Sequence, residues 1–194
     1  MRLIAVCLLA SALIPSLSRA QDVPVFAIST ADSSIKFNVK ASVAIGGTFD
    51  NWNATLTFTS PNVTTGVLDV EIQAASVDTG SGMKDSKLKG PDFFDAANNP
   101  LITFKSTKLL QTGPNTFEVD GNFTIRGVTR LEKLTLAVSG VGTGSGQIKG
   151  TLYFDRKDYG MNSGIPFIRI ADRVEVNVDL KGNRVSGPPL VLKR

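Results

Sequence analysis

Residues 116–136, TFEVDGNFTIRGVTRLEKLTL, decide the fold by their spacing. Phe117 and Val119 alternate with Glu118 and Asp120, and Phe123 and Ile125 with Thr124 and Arg126. After the short connection Arg126-Gly127-Val128-Thr129, Leu134 and Leu136 alternate with Lys133 and Thr135. An apolar residue at every second position marks a strand with one buried and one wet face. Asp120-Gly121 reads either as a hairpin tip or as a bulge inside one long strand, and the bulge is the better reading.

The same period recurs outward in both directions. Ile35, Phe37 and Val39 alternate with Lys36, Asn38 and Lys40, and Leu68, Val70 and Ile72 with Asp69, Glu71 and Gln73. Ile102 and Phe104, Leu56 and Phe58, the trio Ile148, Leu152 and Phe154, and the series Val174, Val176, Val178 and Leu180 extend it. This predicts about eight or nine strands. Parallel sheets, covered on both faces, give continuous apolar runs, so strict alternation argues for antiparallel pairing around one core. Short turns at Ser60-Pro61-Asn62, Gly113-Pro114-Asn115 and residues 142–146 agree. One short helix is expected at residues 83–89, ended by Gly90-Pro91. Periodicity alone leaves a sandwich and a closed barrel both open.

The N-terminus reads differently. Met1-Arg2 is positive, residues 3–14 are apolar apart from Ser11, and small residues stand at Ser18 and Ala20. We read residues 1–20 as a secretory signal peptide cut after Ala20, since the apolar run is too short to span a bilayer. Cleavage would remove Arg2, Arg19 and Cys7, leaving 19 basic against 17 acidic residues in 21–194 and a net charge of +2. Such a chain owes nothing to disulfides and little to an anionic partner. Residues 21–182 are expected to form one domain, and residues 183–194, with Gly187-Pro188-Pro189, a loose tail.

The chain has no histidine. That excludes Ser-His-Asp and Cys-His catalysis, histidine-ligated metal sites and a histidine proton switch. No cofactor or metal is expected. Ser81-Gly82-Met83-Lys84 matches Ser-x-x-Lys, in which a lysine activates a serine, but the supporting motifs are missing. Asp92 and Asp95 lack the regular oxygen ligands of a calcium loop. Lysines on outward strand positions beside Asp and Glu do not make a nucleic-acid surface.

Six segments in register resemble the YceI-like family of secreted bacterial lipid-binding proteins. They begin with Ala75-Ser76-Val77-Asp78-Thr79, then Met83-Lys84-Asp85 through Pro91-Asp92-Phe93-Phe94-Asp95-Ala96, and Ile102-Thr103-Phe104-Lys105-Ser106. Gly121-Asn122-Phe123-Thr124-Ile125-Arg126-Gly127, Asp155-Arg156-Lys157-Asp158-Tyr159-Gly160-Met161 and Ala171-Asp172-Arg173-Val174-Glu175-Val176 follow. The resemblance implies an all-β, antiparallel, eight-stranded lipocalin-like barrel enclosing an elongated apolar tunnel. It also implies a periplasmic protein whose ligand is a polyisoprenoid or other fatty-chain amphiphile. Family members often carry histidine where this chain has Ala41 and Ser86. The expected tunnel wall is Phe37, Val39, Phe49, Trp52, Leu56, Phe58, Phe104, Phe123, Ile125, Phe154 and Phe167, with packed core as the competing role for each. Phe93-Phe94 reads as a loop anchoring the barrel end, or as a plug. Among Arg126, Arg130, Arg156 and Arg173, Arg156 is the first candidate for a head group. The function expected is a secreted binding protein for carriage, storage or envelope stress response. A Ser81/Lys84 hydrolase and a filled barrel acting as an envelope interaction protein are the alternatives. A transient membrane contact is compatible with this reading, and the oligomeric state, a homodimer included, stays open.

Overall fold

A computed structural model describes residues 23–43, 45–164 and 167–192. The expected signal peptide lies outside the described residues. The strands are β1 (Val25–Ala41), β2 (Ile45–Phe49), β3 (Trp52–Thr57), β4 (Val67–Gln73), β5 (Val77–Asp78), β6 (Leu101–Gln111), β7 (Thr116–Ile125), β8 (Val128–Ser139), β9 (Ser145–Asp155) and β10 (Ile170–Ser186), with helix α1 (Gly82–Lys89) after β5. All ladder pairs are antiparallel, in the order β3-β4-β6-β7-β8-β9-β10-β1-β2-β5.

These ten strands make eight staves. β2 and β3 are halves of one stave bent at Asp50 and Asn51, and β4 and β5 are halves of another, separated by a turn at Ala74–Ser76. The kinked staves stay bonded: Gln73 N donates to Asn51 O and Asp50 N to Ser76 O. Because β2 pairs with β1 while β3 pairs with β4, the sheet curls round and closes on itself.

Closure by hydrogen bonds covers one half of the seam. β2 pairs with β1 only over Lys36–Val39, and the first half of β1 has no ladder partner on its β3 side among the described residues. There Phe26 packs on Phe58 with ring centroids 5.7 Å apart. The chain end finishes the seam. β10 runs on to Ser186, Val191 N donates to Pro61 O, and Val63 N donates to Val191 O. Leu190 sits with Phe26, Ile28 and Leu56. Residues 183–192 therefore do not form a loose tail, because Leu190 among them covers an edge the ladder leaves bare.

The opening stretch folds as β7, a tight turn and β8. Arg126 (φ 53°) and Gly127 (φ 73°) are both left-handed, the conformation a two-residue hairpin needs, and Ile125 pairs with Val128. β7 continues through Asp120-Gly121; the bulge belongs to its partner, where Ser106 faces Gly121, Lys108 faces Asp120 and Thr107 is extra. Gly121 is required by a close approach, since a Cβ there would lie 2.4 Å from the Phe104 ring. The inward side chains make one core, with Ile35 at 1% exposure and Val119 at 0% in its middle.

Candidate functional site

Two apolar cavities, one towards each end, replace the expected continuous tunnel. The upper holds about 80 Å³ of free space and the lower about 70 Å³. No residue lines both. On β1 the order is Ile28 (lower), Ile35 (neither), Phe37 and Val39 (upper); on β9 it is Ile148 (lower), Leu152 (neither), Phe154 (upper). Val119 and Leu134 complete this buried belt. Side chains of this size meeting from opposite staves of an eight-stave barrel fill its waist.

The upper cavity takes its wall from seven staves. Phe37, Val39, Ile45, Phe49, Ile72 and Ile102 stand on one side, and Phe123, Ile125, Phe154, Val174 and Val176 on the other. Leu88 of α1 with Phe93 and Phe94 forms the roof. Phe94 packs at a tilt against Phe49 (5.8 Å) and edge-on to Phe37 (6.4 Å). The roof is fastened: Phe94 N donates to Leu88 O (2.9 Å), and the Asp95 carboxylate accepts from Asn98 and Asn99 (3.0 Å each). Asp92 accepts from Lys87 and from Ser163 Oγ, and the Lys87 bond above all holds its carboxyl below the ordinary aspartate range. Phe93-Phe94 thus anchors the barrel end and lines the cavity at once.

Arg156 is the one charged residue in this wall, at 6% exposure. Its guanidinium donates to Ala171 O (3.2 Å), Ser163 O (3.0 Å), Met161 O and Asp172 Oδ1 (3.1 Å). It ties the 156–164 loop to the start of β10 and has little capacity left for a ligand. Beside it Tyr159, fully buried against Phe123 and Phe154, donates to Glu132 Oε1 (2.8 Å), and burial pushes its phenol well above the ordinary range.

Of the expected wall, Phe37, Val39, Phe49, Phe123, Ile125 and Phe154 line the upper cavity, and Leu56 lines the lower. Trp52, Phe58 and Phe104 pack elsewhere, Phe104 on Gly121 and Phe58 on Phe26 at the seam. Phe167 is fully exposed in a left-handed turn outside any strand. Wall residues missing from the expectation are Ile45, Ile72, Leu88, Ile102, Met161, Ile170, Val174 and Val176. Ile72, Ile102, Val174 and Val176 stand on the alternating pattern that marks inward positions, whereas Leu88 and Met161 lie outside any strand and give no periodic signal. Ser81 and Lys84 open α1, and neither lines the upper cavity. Among the described residues there is no group of three or more acidic, histidine or cysteine side chains able to hold a metal. No helix among them is long and apolar enough to cross a membrane.

The model of the YceI-like domain matches residues 26–182. This chain belongs to the YceI-like family. Among relatives, a UPF0312 protein of Shewanella sp. (strain ANA-3) is 29% identical over 142 residues, 68% of this chain and 72% of that protein. A UPF0312 protein of Azotobacter vinelandii is 32% identical over 84 residues, 43% of this chain and 44% of that protein. The chain spans about half the length of several curated relatives it matches. Among solved structures, Burkholderia cenocepacia BcnA superposes with a TM-score of 0.73 at 26% identity, covering 80% of this chain and 99% of that one. A polyisoprenoid-binding domain from Saccharophagus degradans gives a TM-score of 0.66 at 16% identity, covering 83% and 99%, a likeness of fold. Both solved structures share the fold of this chain.

Proposed function

We propose that the protein is a secreted, non-catalytic binding protein that holds the tail of a polyisoprenoid or fatty-chain amphiphile in its upper cavity. The observation that carries this is the wall: every lining residue but Arg156 is apolar, and Arg156 is already bonded to protein acceptors. A polar substrate would find no partner there, whereas each buried methylene gains about 0.8 kcal/mol, or about 8 kcal/mol gross for ten. Ordering the tail takes back part of that. Membership of the YceI-like family and a fold shared with a polyisoprenoid-binding domain support the reading. The leader-like residues 1–20 support export to the periplasm. Carriage, storage and a part in envelope stress response all follow from the same capture step.

Organic extraction of the purified protein, followed by mass spectrometry of the extract, tests this directly. A co-purifying amphiphile, with a rise in melting temperature on adding polyprenyl lipid, is expected. No amphiphile and no thermal shift would sink the proposal. The packed belt across the waist favours a second reading, a largely filled barrel that acts through its outer surface in envelope assembly. Under it the cavity stays empty whatever lipid is offered.

A further inference from the structure

Arg126, Arg130, Arg156 and Arg173 stand at turns or strand ends, and the first three are engaged on the 156–164 loop. Arg126 donates to Gly160 O (2.5 Å), Arg130 to Asp158 O (3.0 Å), and Arg156 to Met161 and Ser163 O. Arg173 is not. It is exposed on β10, its guanidinium 4.1 Å from the centre of the Tyr153 ring, and no carboxylate among the described residues lies within ion-pair distance. A guanidinium on a ring face keeps its N–H edge for an acceptor. Lys40, at the end of β1, is likewise exposed and without a carboxylate partner among the described residues. Lys40 and Arg173 line one outer groove, with Lys84 and Glu175, and Glu175 already accepts from Asn177 Nδ2 (2.6 Å).

Two comparisons give the groove meaning. A second outer groove holds Lys36 and Lys149 with Glu118 and Asp179, two cations with two carboxylates, where Lys149 lies 4.0 Å from Asp179 and Glu118 is held from outside by Lys133 at 2.7 Å. The Arg173 groove instead offers two cations, Lys40 and Arg173, that have no carboxylate partner among the described residues. Its position is also particular, for Val39 and Ile45 line both this groove and the upper cavity. We propose that Lys40 and Arg173 bind the anionic head group, a phosphate or carboxylate, of the amphiphile whose tail occupies the upper cavity. The guanidinium takes two oxygens of the anion side by side and the ammonium supplies a point charge. The tail confers affinity and these two cations select the head.

This assignment rests on the binding function above, and a matched set of probes separates the two. Dodecyl phosphate, dodecanol and inorganic phosphate are titrated calorimetrically against the wild type, the double variant Lys40→Ala/Arg173→Ala, and the control Lys36→Ala/Lys149→Ala. The expected result is a loss of about tenfold or more for dodecyl phosphate in the first variant only. Dodecanol binding should be unmoved in all three proteins, which also shows that the cavity of each variant is intact. Inorganic phosphate should bind far more weakly than dodecyl phosphate. Dodecyl phosphate affinity unchanged in the double variant, or matched by free phosphate, would overturn the head-group site alone. Failure of both amphiphiles to bind the wild type would overturn the binding function and this site with it.

Discussion

Arg156 shows how the environment of one side chain reverses a role assigned by residue type. A guanidinium at a strand end is suited to a diphosphate, yet three carbonyls and Asp172 converge on this one from a loop and a strand start that no local pattern connects. Arg156→Met would leave those acceptors without their donor in a buried site, at a cost of about 2–4 kcal/mol. Chemical denaturation should show that loss, and Arg156→Lys should recover little of it because one ammonium cannot reach four acceptors. A head-group role would give the opposite pattern, weaker ligand binding at unchanged stability. Asp172 sits at the same junction, accepting from Lys157 (2.8 Å) and Arg156 (3.1 Å), and chiefly the Lys157 bond holds its carboxyl below the ordinary value.

At the scale of elements, the seam and the β6–β7 pair test the account of the fold. Ending the chain after Ser186 removes Leu190, which sits beside Phe26 and Ile28 on the bare half of β1, and Leu192, which packs against the core, and should cost about 2–4 kcal/mol from lost burial. The exposed edge would also favour pairing between copies, read as a concentration-dependent dimer by size-exclusion chromatography. Gly121→Val forces the Phe104 ring off its seat and should destabilise by about 1–3 kcal/mol, measurable as a lowered melting temperature. Period-two spacing made most of these strands legible, and Gly90-Pro91 marked the end of α1, because both are local signals. The bend at Asp50–Asn51 was not legible, since what makes it a bend is that β2 pairs with β1 while β3 pairs with β4, a long-range choice. Alternation likewise puts Phe104 and Phe123 inward, but only the register, with Phe104 on Gly121, keeps one out of the cavity wall the other joins.

For the whole molecule, the absence of histidine sets the response to pH. No side-chain type present in this chain has an ordinary pKa between 5 and 8. Asp85, held low first by the Thr79 hydroxyl, Asp92, by Lys87, and Asp172, by Lys157, all have folded values below their unfolded ones. Their contribution is complete above the ordinary aspartate value of about 3.9 and is lost as pH falls through the lower folded values. Melting temperature should therefore stay nearly flat from about pH 5.5 to 8 and drop below about pH 4.

The belt across the waist sets the other whole-molecule property, the length of tail the barrel accepts. Ile35, Val119, Leu134 and Leu152 line neither cavity and divide two apolar spaces that would otherwise run together. Leu152 lies on β9 between Ile148 of the lower cavity and Phe154 of the upper, so trimming it opens the partition where both are near. Leu152→Ala should cost about 2–5 kcal/mol of stability, because the surrounding staves cannot fully collapse into the space. The same substitution should lengthen the preferred ligand. Across a series of fatty alcohols, wild-type affinity should rise with each methylene until the tail meets the belt and then level off, whereas the variant should keep gaining over several further carbons. A plateau at the same chain length in both proteins would mean that the belt does not measure the tail.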